Sequence, residues 1–233
     1  MVGMISDNIA MIRERIESAA KKSGRSANDI KLMGVSKYHP LEMMLAASSG
    51  VDILGENRVQ EAIAKRSGWP EGNATPWHLI GHLQRNKARK ALEIFSVIES
   101  VDTFDLARAV NVILAESGRK GYPVFIEVNV SGETTKSGVG PEEAEQLAGR
   151  IMEYCPAVSV EGLMTIGPNT DDTSAVRRSF ERLRDLRDSM RDGLGLELPE
   201  LSMGMSDDYE TAIEEGSTIV RIGTGIFGPR EYK

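Results

Sequence analysis

Strand-like and helix-like segments alternate eight times along this chain, and that rhythm constrains its fold more than any single motif. An amphipathic segment comes first. Ile5, Ile9, Ile12 and Ile16 recur at helical spacing among Arg13, Glu14, Arg15 and Glu17, which predicts a helix with one stripe for a core. Apolar runs, several rich in β-branched residues, then predict strands near 31–36, 51–54, 78–81, 95–99, 124–130, 158–164, 198–203 and 218–222. Helices are predicted between them at 40–49, up to about 66, 84–92, 103–117, from Pro141 onward, 173–191 and 207–215. The long helix carries Val176, Phe180, Leu183, Leu186 and Met190 on one side. Such alternation calls for parallel strands joined by right-handed crossovers, and eight units favour a closed barrel. The expected fold is α/β, a (β/α)8 TIM barrel with an extra N-terminal helix, as a single domain over residues 1–233. A doubly wound open sheet is the alternative, because periodicity does not report closure. No linker marks a second domain, and Trp69-Pro70-Glu71-Gly72-Asn73-Ala74 is short enough to be a loop.

Composition narrows the function. A net charge of −7 argues against general nucleic-acid binding and against an anionic membrane surface. The basic run Arg85, Lys87, Arg89, Lys90 reads as a solvated helix face. One cysteine, Cys155, allows no internal disulfide and fits a reducing compartment, and no basic neighbour in sequence marks it as a nucleophile. No apolar stretch approaches the roughly 20 residues of a membrane span, and the N-terminal stripe is not a signal peptide, so a cytoplasmic protein is expected.

In a barrel, chemistry gathers at the C-terminal ends of the strands. The first predicted strand delivers Lys37 to that mouth; an amine partly desolvated there has a lowered pKa and is nucleophilic toward an aldehyde. The bland reading is a solvated lysine with its stem on apolar surface. The last strand runs into Gly223-Thr224-Gly225, where glycines admit an anion to backbone amides and Thr224 adds a hydroxyl. Ser206, after the seventh strand, completes such a cradle or, with Asp207 and Glu210, caps a helix. Arg221 lies within the apolar eighth strand, so it needs a ligand atom or an internal carboxylate such as Glu127 or Glu161. His78 and His82 in an extended segment stand about 13 Å apart, too far to share an ion, and no metal site is expected.

Val35-Ser36-Lys37, Gly55-Glu56-Asn57-Arg58-Val59-Gln60-Glu61 and Trp77-His78-Leu79-Ile80-Gly81-His82-Leu83-Gln84-Arg85-Asn86-Lys87 resemble segments of the pyridoxal phosphate homeostasis proteins. So do Ser202-Met203-Gly204-Met205-Ser206-Asp207-Asp208-Tyr209 and Val220-Arg221-Ile222-Gly223-Thr224-Gly225-Ile226-Phe227-Gly228, in the same order nearly end to end. The resemblance implies a barrel like the N-terminal domain of alanine racemase, a fold-type III protein, with pyridoxal 5′-phosphate as an aldimine on Lys37. It implies that Ser206, Gly223 and Thr224 hold the phosphate, Arg221 faces the pyridine nitrogen, and Asn57 and Met203 line the ring pocket. Tyr38-His39 departs from the smaller or basic residue found after the lysine in many relatives, which bears on the rim.

An arginine at the pyridine nitrogen disfavours its protonation and weakens the ring as an electron sink. A racemase also needs a second acid–base group; in alanine racemases a tyrosine from a partner's β-domain supplies it, whereas this sequence ends at Lys233 soon after the eighth strand. Tyr209 or a histidine is the internal substitute. The expected function is cofactor carriage and buffering, with no catalytic residue assigned and transient contact with apo-enzymes by a monomer. The alternative is an enzyme, either a weak racemase or a Schiff-base lyase or aldolase. A barrel serving mainly as an interaction surface has little in the sequence to support it.

Overall fold

The computed structural model describes residues 2–133 and 135–229. The strands are β1 (Lys31–Val35), β2 (Ile53–Glu56), β3 (Trp77–Leu79), β4 (Val97–Val101), β5 (Tyr122–Glu127), β6 (Val158–Met164), β7 (Glu200–Ser202) and β8 (Ile219–Ile222). Among the described residues the α-helices are α1 (Val2–Lys22), α2 (Leu41–Ser48), α3 (Val59–Arg66), α4 (Ala88–Ile94), α5 (Phe104–Glu116), α6 (Pro141–Tyr154), α7 (Thr173–Leu194), α8 (Tyr209–Glu214) and α9 (Thr224–Phe227). All neighbouring strands are parallel, and β1 pairs with β8 in the register Lys31↔Ile219 to Gly34↔Ile222, which closes the barrel and removes the open-sheet alternative.

Closure follows from two faces of alternating side chains. Met33, Val35, Ile53, Val97, Phe125, Met164 and Ile219 fill the barrel. Leu32, Leu54, Ile98, Val124, Leu163, Leu201 and Val220 point the other way, into a layer shared with the helices. The Ile5, Ile9, Ile12, Ile16 stripe of α1 is buried as its spacing predicts, and packs on α8, α2 and α9. Asp172 caps the start of α7 by accepting from the amides of Ser174 and Ala175, and Gly195 in the left-handed region ends it. On its inner side Phe180 is fully buried. Phe180→Ala should lower stability by about 3–5 kcal/mol through lost burial and a residual cavity, read from the shift of the denaturant midpoint.

Several boundaries differ from expectation by a few residues, and at β2 and β5 the structure shows what sets them. β2 begins at Ile53 rather than near 51, because the Asp52 carboxylate instead accepts the Leu32 amide (2.7 Å) and pairs with Arg13 (2.9 Å). It also runs on to a carboxylate, Glu56, whose burial depends on partners supplied by other segments. β5 stops at Glu127, and beyond it Val128 forms an isolated parallel bridge to Val139. Cys155 is buried at the end of α6, where burial pushes its thiol up, as suits a packing residue. No helix among the described residues is long and apolar enough to cross a membrane.

Candidate functional site

At the C-terminal mouth of the barrel lies a cavity of about 520 Å³. Lys37, Asn57, Ser206, Arg221, Gly223 and Thr224 all line it, so six residues singled out from the sequence converge there. Met203 does not line it. Strand parity explains this: Ser202 takes the inward position at the end of β7, which turns Met203 outward into the layer beneath the helices, where it is fully buried. Gly204, at φ +93°, then bends the chain so that Met205 and Ser206 return to the cavity. A side chain there would stand 2.6 Å from the Ala212 Cβ and 2.9 Å from the Tyr209 Cα, so the bend requires glycine.

Ser206 is not a helix cap. α8 starts three residues later, at Tyr209, and the Asp208 carboxylate accepts the Met205 amide (2.5 Å) instead. The Ser206 hydroxyl accepts from the Gly225 amide (3.4 Å), which ties the loop after β7 to the glycine turn after β8. His39 stacks on Phe227 at 5.0 Å between ring centroids, linking the Lys37 loop to the same turn. Asn57 is positioned by a close backbone approach: a Cβ on Gly81 would lie 2.4 Å from the Asn57 carbonyl oxygen. The Asn57 Oδ1 atom is buried and has no hydrogen-bond partner among the described residues.

Arg221 is 4% exposed. No direct ion pair of Arg221 with Glu127 or Glu161, one of the two alternatives for it, forms among the described residues; a relay reaches a different carboxylate. Its Nη1 donates to the Ser202 hydroxyl (2.8 Å), which donates to Glu99 (2.5 Å), whose other oxygen accepts from Nδ1 of His78 (2.6 Å). Its Nη2 donates to the Thr165 carbonyl (2.6 Å). Burial pulls the guanidinium below its usual pKa, and Glu99, Asp208 and Glu127 pull it back up. Two hydrogen bonds fix the plane of the group while leaving it on the cavity wall. His78 thus serves the barrel interior, and no group of three or more candidate metal ligands occurs among the described residues.

Glu127, at the end of β5, has its pKa pushed up to about 7, first by burial and then by Asp102, with Arg221 opposing. The carboxyl titrates near 4.5 when unfolded, so between about 4.5 and about 7 the folded chain holds the extra proton. This group's contribution is therefore most favourable at low pH, and stability falls as pH rises toward about 7. Denaturant titrations at about pH 5 and about pH 8 should show wild type losing up to about 3 kcal/mol from this source, and Glu127→Gln losing less.

The cavity's remaining wall is apolar, from Val35, Ile80, Met164, Ile166 and Met205, with His39 and Asp207 at its polar part. Alternation along the strands places Val35 and Ile80 inward, but the loop residues Ile166 and Met205 had no pattern to mark them. Tyr209, the tyrosine considered as a second acid–base group, is buried beneath Arg15 (5.4 Å to its ring centroid), and burial raises its pKa. Together these groups place an amine, a buried guanidinium, two hydroxyls, a glycine turn and apolar side chains around one cavity.

The alanine racemase N-terminal domain family matches residues 8–231. A pyridoxal phosphate homeostasis protein of Aquifex aeolicus is 42% identical over 227 residues, covering 97% of this chain and 98% of that one. The PipY structure from Synechococcus elongatus, solved with pyridoxal phosphate bound, superposes with a TM-score of 0.80 at 35% identity, covering 93% of this chain and 100% of that one. Alanine racemase of Clostridium difficile, at 20% identity and a TM-score of 0.71, shares the barrel over 97% of this chain and 57% of its own length. By the breadth and identity of these matches, the chain belongs to the pyridoxal phosphate homeostasis protein family, within the alanine racemase N-terminal-domain fold.

Proposed function

We propose that this barrel binds pyridoxal 5′-phosphate at its mouth, covalently through the Lys37 amine, and acts as a carrier and buffer of that cofactor. The observation that carries this reading is the convergence of Lys37, Arg221 and the Ser206, Gly223, Thr224 group on one cavity of about 520 Å³. The volume suits a cofactor of this size. The fit extends to atoms: the buried, unpartnered Asn57 Oδ1 calls for a polar ligand group beside it. PipY, 35% identical, binds the same molecule in its crystal structure.

When bound, the cofactor supplies an aldehyde for condensation and a pyridine ring that withdraws electrons. The protein supplies the rest. The Ser206 and Thr224 hydroxyls and the Gly223–Gly225 backbone would hold the phosphate, Arg221 would stand toward the ring nitrogen, and Met164 and Ile80 would help keep water out of the apolar part of the cavity. A buried guanidinium held by Ser202 and the Thr165 carbonyl keeps its protons, so it favours an unprotonated ring nitrogen and works against deep carbanion chemistry. Carriage therefore outweighs a racemase or Schiff-base lyase. We further propose a cytoplasmic monomer that meets apo-enzymes transiently.

The test is to incubate loaded protein with single L-amino acids in heavy water, and separately with an apo-enzyme. The expected result is activation of the apo-enzyme with no exchange of the amino-acid α-proton. Rapid exchange or D-isomer formation would replace carriage with racemase chemistry.

A further inference from the structure

The peptide that carries Lys37 is held by a group of charges outside the cavity lining, two of them buried and one, Glu61, partly exposed. Lys65, on α3, is 8% exposed, and Glu56, at the end of β2, is 0% exposed. The Lys65 ammonium donates to the Ser36 carbonyl (2.9 Å) and to Glu56 Oε1 (2.6 Å), and pairs with Glu61 (2.7 Å). The Ser36 hydroxyl donates to that same Glu56 oxygen (2.7 Å). On the other side of Lys37, the Tyr38 amide donates to Glu61 Oε1 (2.7 Å).

These bonds matter because the backbone there is unusual. Tyr38 has φ +67°, a conformation that residues with a Cβ rarely adopt, and Glu61 satisfies its amide in that turn. Arg58, just ahead of α3, stacks over the Tyr38 ring at 5.6 Å. Burial pushes the Glu56 carboxyl up, and Lys65 pulls it back. Burying two charges, Lys65 and Glu56, with no gain elsewhere is costly, and an apolar pair of equal volume would hold the barrel as well. What an apolar set would not do is bond the main chain on both flanks of one lysine.

We propose that Lys65, Glu56 and Glu61 are positioning residues for Lys37: by bonding Ser36 and Tyr38 they fix the origin and direction of the Lys37 side chain at the cavity mouth. The proposal rests on the covalent-binding reading above. In that reaction the Lys37 nitrogen replaces the aldehyde oxygen, which leaves as water, and the rate and equilibrium depend on the amine reaching the aldehyde carbon in the right geometry.

The experiment compares two ligands on the full chain. Pyridoxal 5′-phosphate has the aldehyde; pyridoxine 5′-phosphate has an alcohol in its place and occupies the ring and phosphate positions without condensing. Lys65→Met is made together with Glu56→Gln, because removing the lysine alone strands a buried carboxylate. Glu61→Ala is the second variant; it leaves the Lys65–Glu56 pair intact, and alanine suits its helical position. Both variants should bind pyridoxal 5′-phosphate roughly tenfold or more weakly, with slower borohydride trapping, while pyridoxine 5′-phosphate affinity stays within about twofold. Equal loss of both ligands in Glu61→Ala would reduce the group to a structural role and overturn the proposal. Unchanged aldehyde binding and trapping would overturn it too. Wild-type protein that binds pyridoxine 5′-phosphate but traps no pyridoxal 5′-phosphate would instead overturn the covalent reading, and the positioning role with it.

Discussion

Lys37→Ala should abolish the visible absorption band of protein incubated with pyridoxal 5′-phosphate and lower its affinity about 100-fold or more, a loss of roughly 3 kcal/mol. The size of the effect follows from what remains. The proposed phosphate cradle at Ser206, Gly223 and Thr224 and the Arg221 wall are untouched by the substitution, so the variant should still bind pyridoxine 5′-phosphate about as well as wild type. Absorbance titration with both ligands checks the prediction. Retention of the band in Lys37→Ala would place the reactive amine elsewhere.

Arg221→Glu should be the most destabilising single change at the site. It removes the donor to the Ser202 hydroxyl and the Thr165 carbonyl, and sets a new carboxylate among Glu99, Glu127 and Asp208, the groups that now offset the guanidinium. Breaking a buried charged arrangement in this way costs about 3–5 kcal/mol, a large share of a domain's stability. Ser202→Ala makes the informative contrast. It cuts the relay between Arg221 and Glu99 yet keeps both charges, so a smaller loss of about 1–2 kcal/mol is expected, together with a shifted absorption maximum of the loaded protein. Denaturant titration and absorbance spectra of the two variants separate scaffold effects from effects on the ring. An Arg221→Glu protein with wild-type stability and an unchanged spectrum would remove Arg221 from the ring position.

Much of this was legible in the sequence because the signals were local. The isoleucine stripe of α1, the valine-rich run at β5–β6 and the polar residues after each strand all follow from spacing, and together they give the barrel and its working end. Lys37, Arg221 and the 223–225 turn lie at or just beyond the ends of parallel strands, which sets them on one edge of the sheet whether or not it closes. What escaped was non-local or sensitive to parity. Met203 and Ser202 differ by one position, and a strand of three residues is too short to show which faces inward. Lys65 looks like an ordinary helix-end lysine beside Arg66; its burial depends on Glu56, and the two become neighbours only when α3 packs back on β2. The Arg221–Ser202–Glu99–His78 relay joins β8, β7, β4 and β3 across the barrel, and no spacing along the chain encodes it.

The central claim is that Lys37 is the covalent anchor. Wild-type protein loaded with pyridoxal 5′-phosphate, reduced with borohydride, digested and mapped by mass spectrometry tests it directly. The expected result is one dominant phosphopyridoxyl adduct, on the peptide spanning Val35-Ser36-Lys37-Tyr38-His39. An unmodified Lys37 peptide with the adduct on Lys65, Lys136 or another lysine would contradict the account.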